Sequence, residues 1–292
     1  MEVRQLRYFV VAAELEHFGK AAERLHIVQP AVSKQIAALE RELGLRLFDR
    51  VHRRATLTPD GRVFLAHARR ALRGIERAAA AAADLAHGEA GIVRIASSEG
   101  LGPNLEAILA AYRATRPRVQ IELGSASTPA KLRAVVDGEL DAAFVRAAHP
   151  PSGVTVHHLW DEPLLLVVPT SWAELNGELS TLADLPLARA EQTDNPGVFD
   201  LITNACRAAG FDPITGPRLG SIQDIVAGPI AAGNCWTMLY AVTAPPASPL
   251  VTTLAPEPPI AVPTGLAVRN DPNDRLTDLI AAARQHQSRP TL

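Results

Sequence analysis

Between Phe18 and Arg54 the chain reads FGKAAERLHIVQPAVSKQIAALERELGLRLFDRVHRR, and few folds accommodate such a stretch. Ala21, Ala22 and Leu25 fall on one face of a short helix. His26, Ile27 and Val28 are too few for more than a turn. Gln29-Pro30 opens a second helix, because proline's fixed φ suits the first helical position and its missing N–H is not needed there. Val32, Ile36, Leu39 and Leu43 give that helix a buried stripe at the 3.6-residue period. Gly44 follows where a left-handed cap belongs. Two helices joined this tightly fit a helix-turn-helix, whose second helix enters the major groove of DNA.

The residues off the buried stripe are what such a helix presents to a duplex. Gln29 can pair bidentately with adenine, and Ala31 can touch a thymine methyl. Ser33 and Lys34 suit base edges or phosphates, and Gln35 lies beside them. Pro30 sets the helix start at this surface. After Gly44, the residues Leu45, Leu47 and Val51 with Leu57 read as two short strands. The connection carries Arg50, His52, Arg53 and Arg54, a wing with a basic tip suited to phosphates or the minor groove.

Residues 3–60 resemble the winged helix-turn-helix of LysR-type transcriptional regulators. The resemblance rests on Leu6-Arg7-Tyr8-Phe9, Ala21-Ala22-Glu23-Arg24-Leu25, Gln29-Pro30-Ala31-Val32-Ser33, Leu39-Glu40, Leu43-Gly44, Leu47-Phe48 and Leu57-Thr58, in order and without gaps. Two positions depart from that pattern. Val28 stands where a small residue is usual, and Gly19 where a capping Ser or Thr is common. Loss of the hydroxyl at 19 is expected to weaken the start of the first of the two helices.

Ahead of this unit, residues 3–16 read as a helix, with Leu6, Phe9, Val10 and Ala13 at helical spacing. Tyr8 and Phe18 are expected in the small core rather than stacked on bases. Behind it, Pro59-Asp60-Gly61 begins a long helix, closed by a hinge at His87-Gly88-Glu89-Ala90-Gly91. Leu65, Leu72, Ala79 and Ala86 recur every seven residues, with Ala68, Ile75 and Ala82 three after each, as at the a and d positions of a coiled coil. A lone helix of this length would be marginal in water. The expected partner is a second copy through Leu65, Leu72, Ile75 and Ala79, since two-fold DNA readers need two recognition helices. The alternative is packing on the chain's own C-terminal part. In the resembled family this is the linker helix, and dimers pair into tetramers.

Charge supports the division. Residues 1–90 hold 15 lysines and arginines against 11 acids, and residues 91–292 hold 14 against 20. A basic N-terminal part followed by an acidic remainder fits a DNA-binding module attached to something that does not touch DNA. No apolar run is long enough to span a bilayer. Residues 1–15 lack a signal peptide's core, so a cytoplasmic location and no membrane partner are expected.

From residue 91 the pattern changes to strand and helix in alternation. Expected strands are Ile92–Ala96, Val119–Leu123, Asp141–Val145, Leu164–Val168, Trp236–Val242 and Leu266–Arg269. Expected helices are Pro103–Ala114, Pro129–Asp137, Gly197–Ala209, a kinked Ile222–Ala232 and Arg275–Gln287, with a short one near Thr181–Leu185. Seven prolines in residues 244–263 mark irregular or edge-strand chain. This order predicts a covered, largely parallel sheet. It resembles the LysR-type effector domain, two α/β lobes similar to periplasmic solute-binding proteins. The expected organisation is therefore an all-α winged helix-turn-helix at 1–59, a linker helix and hinge at 60–90, and an effector domain at 91–292. Within the last, lobe one covers 92–160 plus 266–292 and lobe two covers 161–265.

Ligands of open α/β sheets sit at strand C-terminal ends near helix N-termini. Ser97 and Ser98 follow the first strand of this domain, and Ser127 and Thr128 the second. Arg146 ends the third, and Val198 stands near the start of the helix at Gly197. Hydroxyls and free N–H groups there suit a carboxylate or similar anion. Glu99 would compete with one, leaving a cationic, amphoteric or neutral ligand open. The plainer reading makes the Ser and Thr residues helix caps.

Neither a catalytic motif nor a metal or cofactor motif is present. His157 and His158 point to opposite faces of a strand and hold no metal. Cys206 and Cys235 form neither a disulfide framework nor a metal motif and are expected as buried thiols, although some regulators of the resembled type sense oxidants through a cysteine pair. The resemblance thus implies a non-enzymatic, ligand-responsive transcriptional regulator. Its partners would be double-stranded DNA with a dyad-symmetric operator, itself as homodimer or homotetramer, a small-molecule effector and RNA polymerase. A solute-binding protein would need an export signal. A DNA-binding regulator without an effector, sensing by protein contact or cysteine redox, is the alternative.

Overall fold

The computed structural model describes residues 1–49, 55–87, 91–98, 100–218, 221, 228–244 and 248–286. The chain forms two compact units, Met1–Gly88 and Glu89–Leu292. The first contains α1 (Val3–Leu15), α2 (Phe18–Arg24), α3 (Gln29–Leu43), β1 (Phe48–Asp49), β2 (Thr56–Leu57) and α4 (Pro59–His87). Leu6, Phe9 and Val10 of α1 pack with Ala21 and Ala22 of α2 and with Val32, Ile36 and Leu39 of α3. Phe9 contacts Phe48 and Phe64 at ring-centroid distances of 5.5 and 5.3 Å, and Phe18 contacts Phe48 at 5.2 Å. Tyr8 and Phe18 pack partly buried against this core.

The helix ends follow the sequence signals, with one correction. α3 carries proline in its first turn and ends on Gly44 at φ 67°, whose N–H reaches the Glu40 carbonyl. The expected weakness at the start of α2 is not found. His17 Nδ1 accepts from the Gly19 and Lys20 N–H groups at 3.0 and 3.3 Å and caps the helix in place of a hydroxyl.

The wing strands are shorter than expected. Phe48 pairs with Leu57 and Asp49 with Thr56. Leu45 and Leu47 precede the ladder, and the Leu47 and Phe48 N–H groups are taken by Glu40 Oε1 at 2.8 and 3.1 Å. Val51, His52, Arg53 and Arg54, with Arg50, lie outside the described residues. At the far side of the wing, Thr58 Oγ1 accepts from Gly61 N–H at 2.9 Å and starts α4.

Only part of the α4 seam is free. Leu65 and Leu72 pack partly buried against the core of their own unit, and Ala68 is buried in it. Arg69 pairs with Glu14 of α1 at 3.2 Å. Ile75 is 43% exposed and Ala79 is exposed.

The second unit is built on a seven-stranded sheet. Its strands are β3 (Gly91–Ser97), β4 (Val119–Ser125), β5 (Ala142–Arg146), β6 (Val154–Pro169), β9 (Thr237–Tyr240), β10 (Val251–Leu254) and β11 (Ala261–Arg269). The order is β10-β6-β11-β5-β3-β4, with β9 also paired to β6. β3 pairs with β4 and with β5 in parallel, through the crossover helices α5 (Gly102–Thr115) and α6 (Thr128–Asp137). β11 runs antiparallel to both β5 and β6. A separate ribbon pairs β7 (Leu187–Arg189) with β8 (Thr215–Arg218). The remaining helices are α7 (Pro196–Ala208) and α8 (Asp274–His286).

β6 and β11 reach further than their apolar patterns suggested. β6 begins ten residues before Leu164, and its run His157-His158 to Asp161-Glu162 hid the strand behind polar side chains. Its first part pairs with β11, and its last with β9 and β10. β11 begins at Ala261 rather than Leu266 and includes Pro263. That proline fits because β5 runs out there: its carbonyl accepts from Ala147 N–H at 2.8 Å just past the end of β5.

Each lobe has layers on both sheet faces. In the first, Ile108 and Tyr112 of α5 and Leu279 of α8 cover Ile95, Phe144 and Leu266. Leu132 and Val135 of α6 cover Ala143, Val145 and Ala267 on the opposite face. In the second, Leu164, Leu166 and Val168 face Ile202 and Cys206 of α7, while Val167 faces Ala188, Ile230 and Cys235. Within the expected helix Ile222–Ala232, residues 222–227 lie outside the described residues, and 228–233 form turns. No described helix is long and apolar enough to cross a membrane.

Candidate functional site

Two surfaces follow from these elements. On α3, Val32, Ile36 and Leu39 are buried, which turns Gln29, Pro30 and Lys34 to solvent and leaves Ala31, Ser33 and Gln35 half-buried. Gln29 Nε2 donates to Ser33 Oγ at 3.0 Å, so the two polar side chains stand one turn apart on the same face. Val28, at the N-cap, is 70% exposed and makes no side-chain cap bond. Glu40, near the other end of α3, holds the first wing strand by its carboxylate. The helix α3 and the first wing strand are therefore joined by direct bonds.

The second surface lies where β3, β5, α6 and α7 meet. Ser97 ends β3 in register with Ser125, and Ser98 follows it. Ser98 Oγ donates to the Phe144 carbonyl at 3.3 Å and accepts from Lys131 Nζ. Lys131 also donates to the Phe144 carbonyl at 2.7 Å. The Thr128 N–H, at the start of α6, donates to the Asp194 carbonyl at 2.8 Å, which ties α6 to the turn before α7. Asn195 completes the link: its Nδ2 donates to the Arg146 carbonyl at 3.2 Å, and its Oδ1 accepts from Val198 N–H at 3.3 Å. Ser98 and Lys131 thus share bonds on the Phe144 carbonyl, while Thr128 bonds Asp194 and Asn195 joins Arg146 to Val198; the backbone of β5 and α6 brings these bonds into one network. Ser97 touches it through the chain alone. Ser127 is the α6 N-cap but makes no side-chain cap bond, and α5 is capped at Leu101, not at Ser97 or Ser98. Glu99 lies outside the described residues.

The network is cationic and buried. Arg146 is 1% exposed, donates to the Gly100 carbonyl at 2.7 Å and lies 3.8 Å from the Tyr240 ring centre. Burial lowers its pKa below the usual arginine value, opposed by Tyr240 and Glu162. Burial likewise raises Tyr240, opposed by Arg146. Lys131 is also 1% exposed, and burial, with Arg146 nearby, pushes it down to about 8. Tyr240 belongs to β9, so Arg146 is a direct contact between the lobes. Gly100 is a second, at φ 72°, where an added Cβ would stand 2.3 Å from Thr243 Cγ2.

Lys131, Asn195, Tyr240 and Gly100 were not among the expected site residues. Lys131 does leave a trace in sequence: Thr128, Lys131, Leu132 and Val135 share the buried helical stripe, where a lysine is out of place. Tyr240 and Asn195 leave none, because their role depends on which strand and turn the lobe crossing brings beside Arg146.

The other candidates behave as follows. His157 bonds Arg284 at 3.0 Å and His158 bonds Asp161 at 3.0 Å. Among the described residues no group of three or more His, Cys, Asp or Glu is placed to hold a metal. Cys206 and Cys235 are fully buried in different apolar clusters. Burial pushes the Cys206 thiol up to about 11 and raises Cys235 as well.

Residues 3–62 match the bacterial regulatory helix-turn-helix protein domain of the lysR family, and residues 86–288 match the LysR substrate binding domain. The HTH-type transcriptional regulator YnfL of Escherichia coli K12 is 34% identical over 239 residues, 80% of either chain. OxyR of the same strain, a DNA-binding transcriptional dual regulator, is 30% identical over 248 residues, 84% of this chain and 81% of OxyR. The crystal structure of CbnR, a LysR family transcriptional regulator, matches with a TM-score of 0.75 at 24% identity, over 99% of this chain and all of CbnR. CbnR is also known in complex with its target DNA. That likeness speaks for the fold, and the sequence matches speak for the family. The chain belongs to the LysR family of helix-turn-helix transcriptional regulators.

Proposed function

We propose that the protein is a non-enzymatic, sequence-specific regulator that binds dyad-symmetric promoter DNA as a dimer or tetramer and responds to a small molecule held between its lobes. The observation that carries the ligand part is the bonded network at the strand ends, with Ser127 spared from capping and two buried cations beside it. Gln29, Ser33 and Lys34 are the base and phosphate readers of α3, with Pro30, Ala31 and Gln35 shaping their surface and Arg50, Arg53 and Arg54 supplying the wing. Ser97, Ser98, Ser127, Thr128, Arg146 and Val198 line the ligand cleft. Lobe one is 92–160 with 266–292, and lobe two is 161–265.

Dimerisation is proposed through the free half of the α4 seam, Ile75 and Ala79. Leu65 and Leu72 are engaged within their own unit and assist it by fixing the helix. RNA polymerase is the proposed downstream partner. Selection of operators from random duplexes, followed by thermal shift against a metabolite panel, tests both parts. Failure to enrich any sequence at low salt removes the DNA reading. Enrichment without any ligand response leaves a regulator that senses by protein contact. Redox sensing is disfavoured by the burial and raised pKa of both thiols.

A further inference from the structure

Val28 is the most exposed large apolar side chain among the described residues, at 70%. It stands at the N-cap of α3, with φ −82° and ψ 140°. Short polar residues are favoured at such a position, because their oxygen accepts from the first unbonded N–H groups of the helix. Valine offers no acceptor, and no side-chain cap bond is made. The Val28 carbonyl accepts from Ala31 N–H at 3.0 Å, so the backbone turns into the helix without a side-chain cap. Ile27, one residue earlier, packs partly buried against the core, whereas Val28 is turned away from it. The position therefore gives up a cap and holds an isopropyl group in water. Neither stabilises the unit by itself.

The residues beside Val28 indicate what covers it. Gln29 and Pro30 follow, both exposed, and Lys34 is exposed further along α3 and supplies the positive charge a duplex calls for. The bond from Gln29 Nε2 to Ser33 Oγ, at 3.0 Å, holds the amide at the same end of the helix. That bond uses one of the two amide protons; the other, with Oε1, is the pair that adenine N7 and N6 require. Adenine comes paired with thymine, whose 5-methyl is the apolar group on the major-groove edge. Adjacent Cα atoms lie about 3.8 Å apart and adjacent base pairs about 3.4 Å. Residues 28 and 29 can thus address one base pair or two neighbouring ones. A β-branched side chain, stiff at χ1, has little freedom to lose on making such a contact.

We propose that Val28 is a specificity-determining residue, which reads the 5-methyl group of a thymine in the base pair seen by Gln29 or in the pair next to it. This rests on α3 being the DNA reader, and it goes further by naming a residue just outside the helix and the single group it recognises. The contact is apolar. It separates thymine from cytosine, which has no methyl at that edge and presents an amino group instead. The isopropyl group that is idle in the free protein is covered in the complex, and the methyl loses its water at the same time.

The experiment uses the full-length protein as wild type, Gln29→Ala, Val28→Ala and Val28→Ser. Binding sites are selected from a random duplex library, and the adenine read by Gln29 is the one whose preference Gln29→Ala loses. Each thymine of the selected half-site is then replaced in turn by deoxyuridine, which removes the methyl and nothing else, and affinity is measured by fluorescence anisotropy. The expected result for the wild type is a loss of roughly threefold to tenfold at one thymine, opposite that adenine or one step away. Val28→Ser should bind the thymine and deoxyuridine duplexes alike, and Val28→Ala should show a smaller difference than the wild type. Val28→Ser should also melt at or above the wild-type temperature, because serine restores a cap, so discrimination falls while stability does not. A wild type indifferent to every methyl within that step, or a deoxyuridine loss that Val28→Ser retains in full, overturns the assignment and leaves Gln29 as the reader. So does a selection in which Gln29→Ala keeps every adenine preference, since the methyl is placed beside that base. A selection that enriches no sequence overturns the DNA reading, and the assignment with it.

Discussion

His17 caps α2 with its ring set close against the glycine at residue 19. The imidazole Nδ1 lies 3.0 Å from the Gly19 nitrogen, and a Cβ at 19 would stand 3.0 Å from His17 Cε1 and 3.2 Å from Nδ1. The histidine cap and the glycine at 19 are close enough to be coupled, since a side chain at 19 would crowd the ring by a few tenths of an ångström. His17→Ala should cost about 1 kcal/mol by urea denaturation, as loss of a cap does. His17→Ser should restore most of it. Gly19→Ala should destabilise the wild type yet stabilise the His17→Ser variant, where helix propensity favours alanine by about 0.5–1 kcal/mol. The same sign in both backgrounds would show that ring and residue 19 are uncoupled.

Gly61 has no such freedom. A Cβ there would stand 2.1 Å from the Leu47 carbonyl oxygen, a backbone atom on the far side of the wing. Gly61→Ala must therefore push α4 from the wing or shift Leu47 in the core. A loss of about 1–3 kcal/mol is expected, the range for overpacking. DNA affinity should fall with it. Denaturation midpoints and gel shifts on the same preparation check both.

On DNA, Gln29→Ala and Lys34→Ala should differ in kind. Gln29 presents an amide suited to a base edge, and its removal should cost about 1–3 kcal/mol on the operator and little on random duplex. Lys34 is exposed and cationic, so its removal should weaken every duplex and reduce the salt slope by about one. Equal losses for both variants on both duplexes would argue against this division.

Alkaline stability carries opposed contributions, which Lys131 and Cys206 illustrate. Lys131 titrates near 8 when folded and 10.5 when unfolded, so the unfolded chain holds the extra proton between those values and stability rises with pH across that window. Cys206 moves the other way, from 9.0 to about 11, so the native state keeps a proton the unfolded chain has lost and stability falls between pH 9.0 and about 11. The wild type should thus gain stability from about pH 8 to 9 and flatten above. Lys131→Met should lose the gain and keep the decline, and Cys206→Ala should lessen the decline, part of which remains with Cys235 and Tyr112, both also raised by burial. Urea midpoints at half-unit intervals from about pH 7.5 to 10.5 measure this.

Gly197, in the first turn of α7, faces the Ala147 carbonyl so closely that a Cβ would stand 1.8 Å from its oxygen. Gly197→Ala should force α7 away from the end of β5 and break the Asn195 bridge to Arg146. Operator binding by the first unit should survive, while the response to any effector is lost. Retained induction in a reporter strain would show that the network tolerates separation.

Legibility differed between the two units for a physical reason. In the first, Pro30, Gly44 and the stripe Val32-Ile36-Leu39 are local signals, and α3 begins and ends where they place it. In the second, α6 and α7 announce themselves by proline and periodicity, whereas β6 and β11 hide their length in polar residues and in Pro263. Ser98 and Arg146 are visible as strand-end residues. Tyr240 becomes part of their surroundings only through pairing with β6, a contact of long sequence separation. Lys131 is visible as a charge on an apolar stripe, but hydroxyls at strand ends are the more familiar signal and mask it.

The seating of Leu65, Ala68 and Leu72 on α1 removes any swivel between the reading head and its shaft. With 29 residues, α4 spans about 43 Å at 1.5 Å per residue. In the proposed dimer it is a rigid lever whose fulcrum is the contact made by Ile75 and Ala79. From that contact to the Pro59 end is about 27 Å, so a turn of about 10° in each lever would carry its reading end roughly 5 Å, more than one base-pair step.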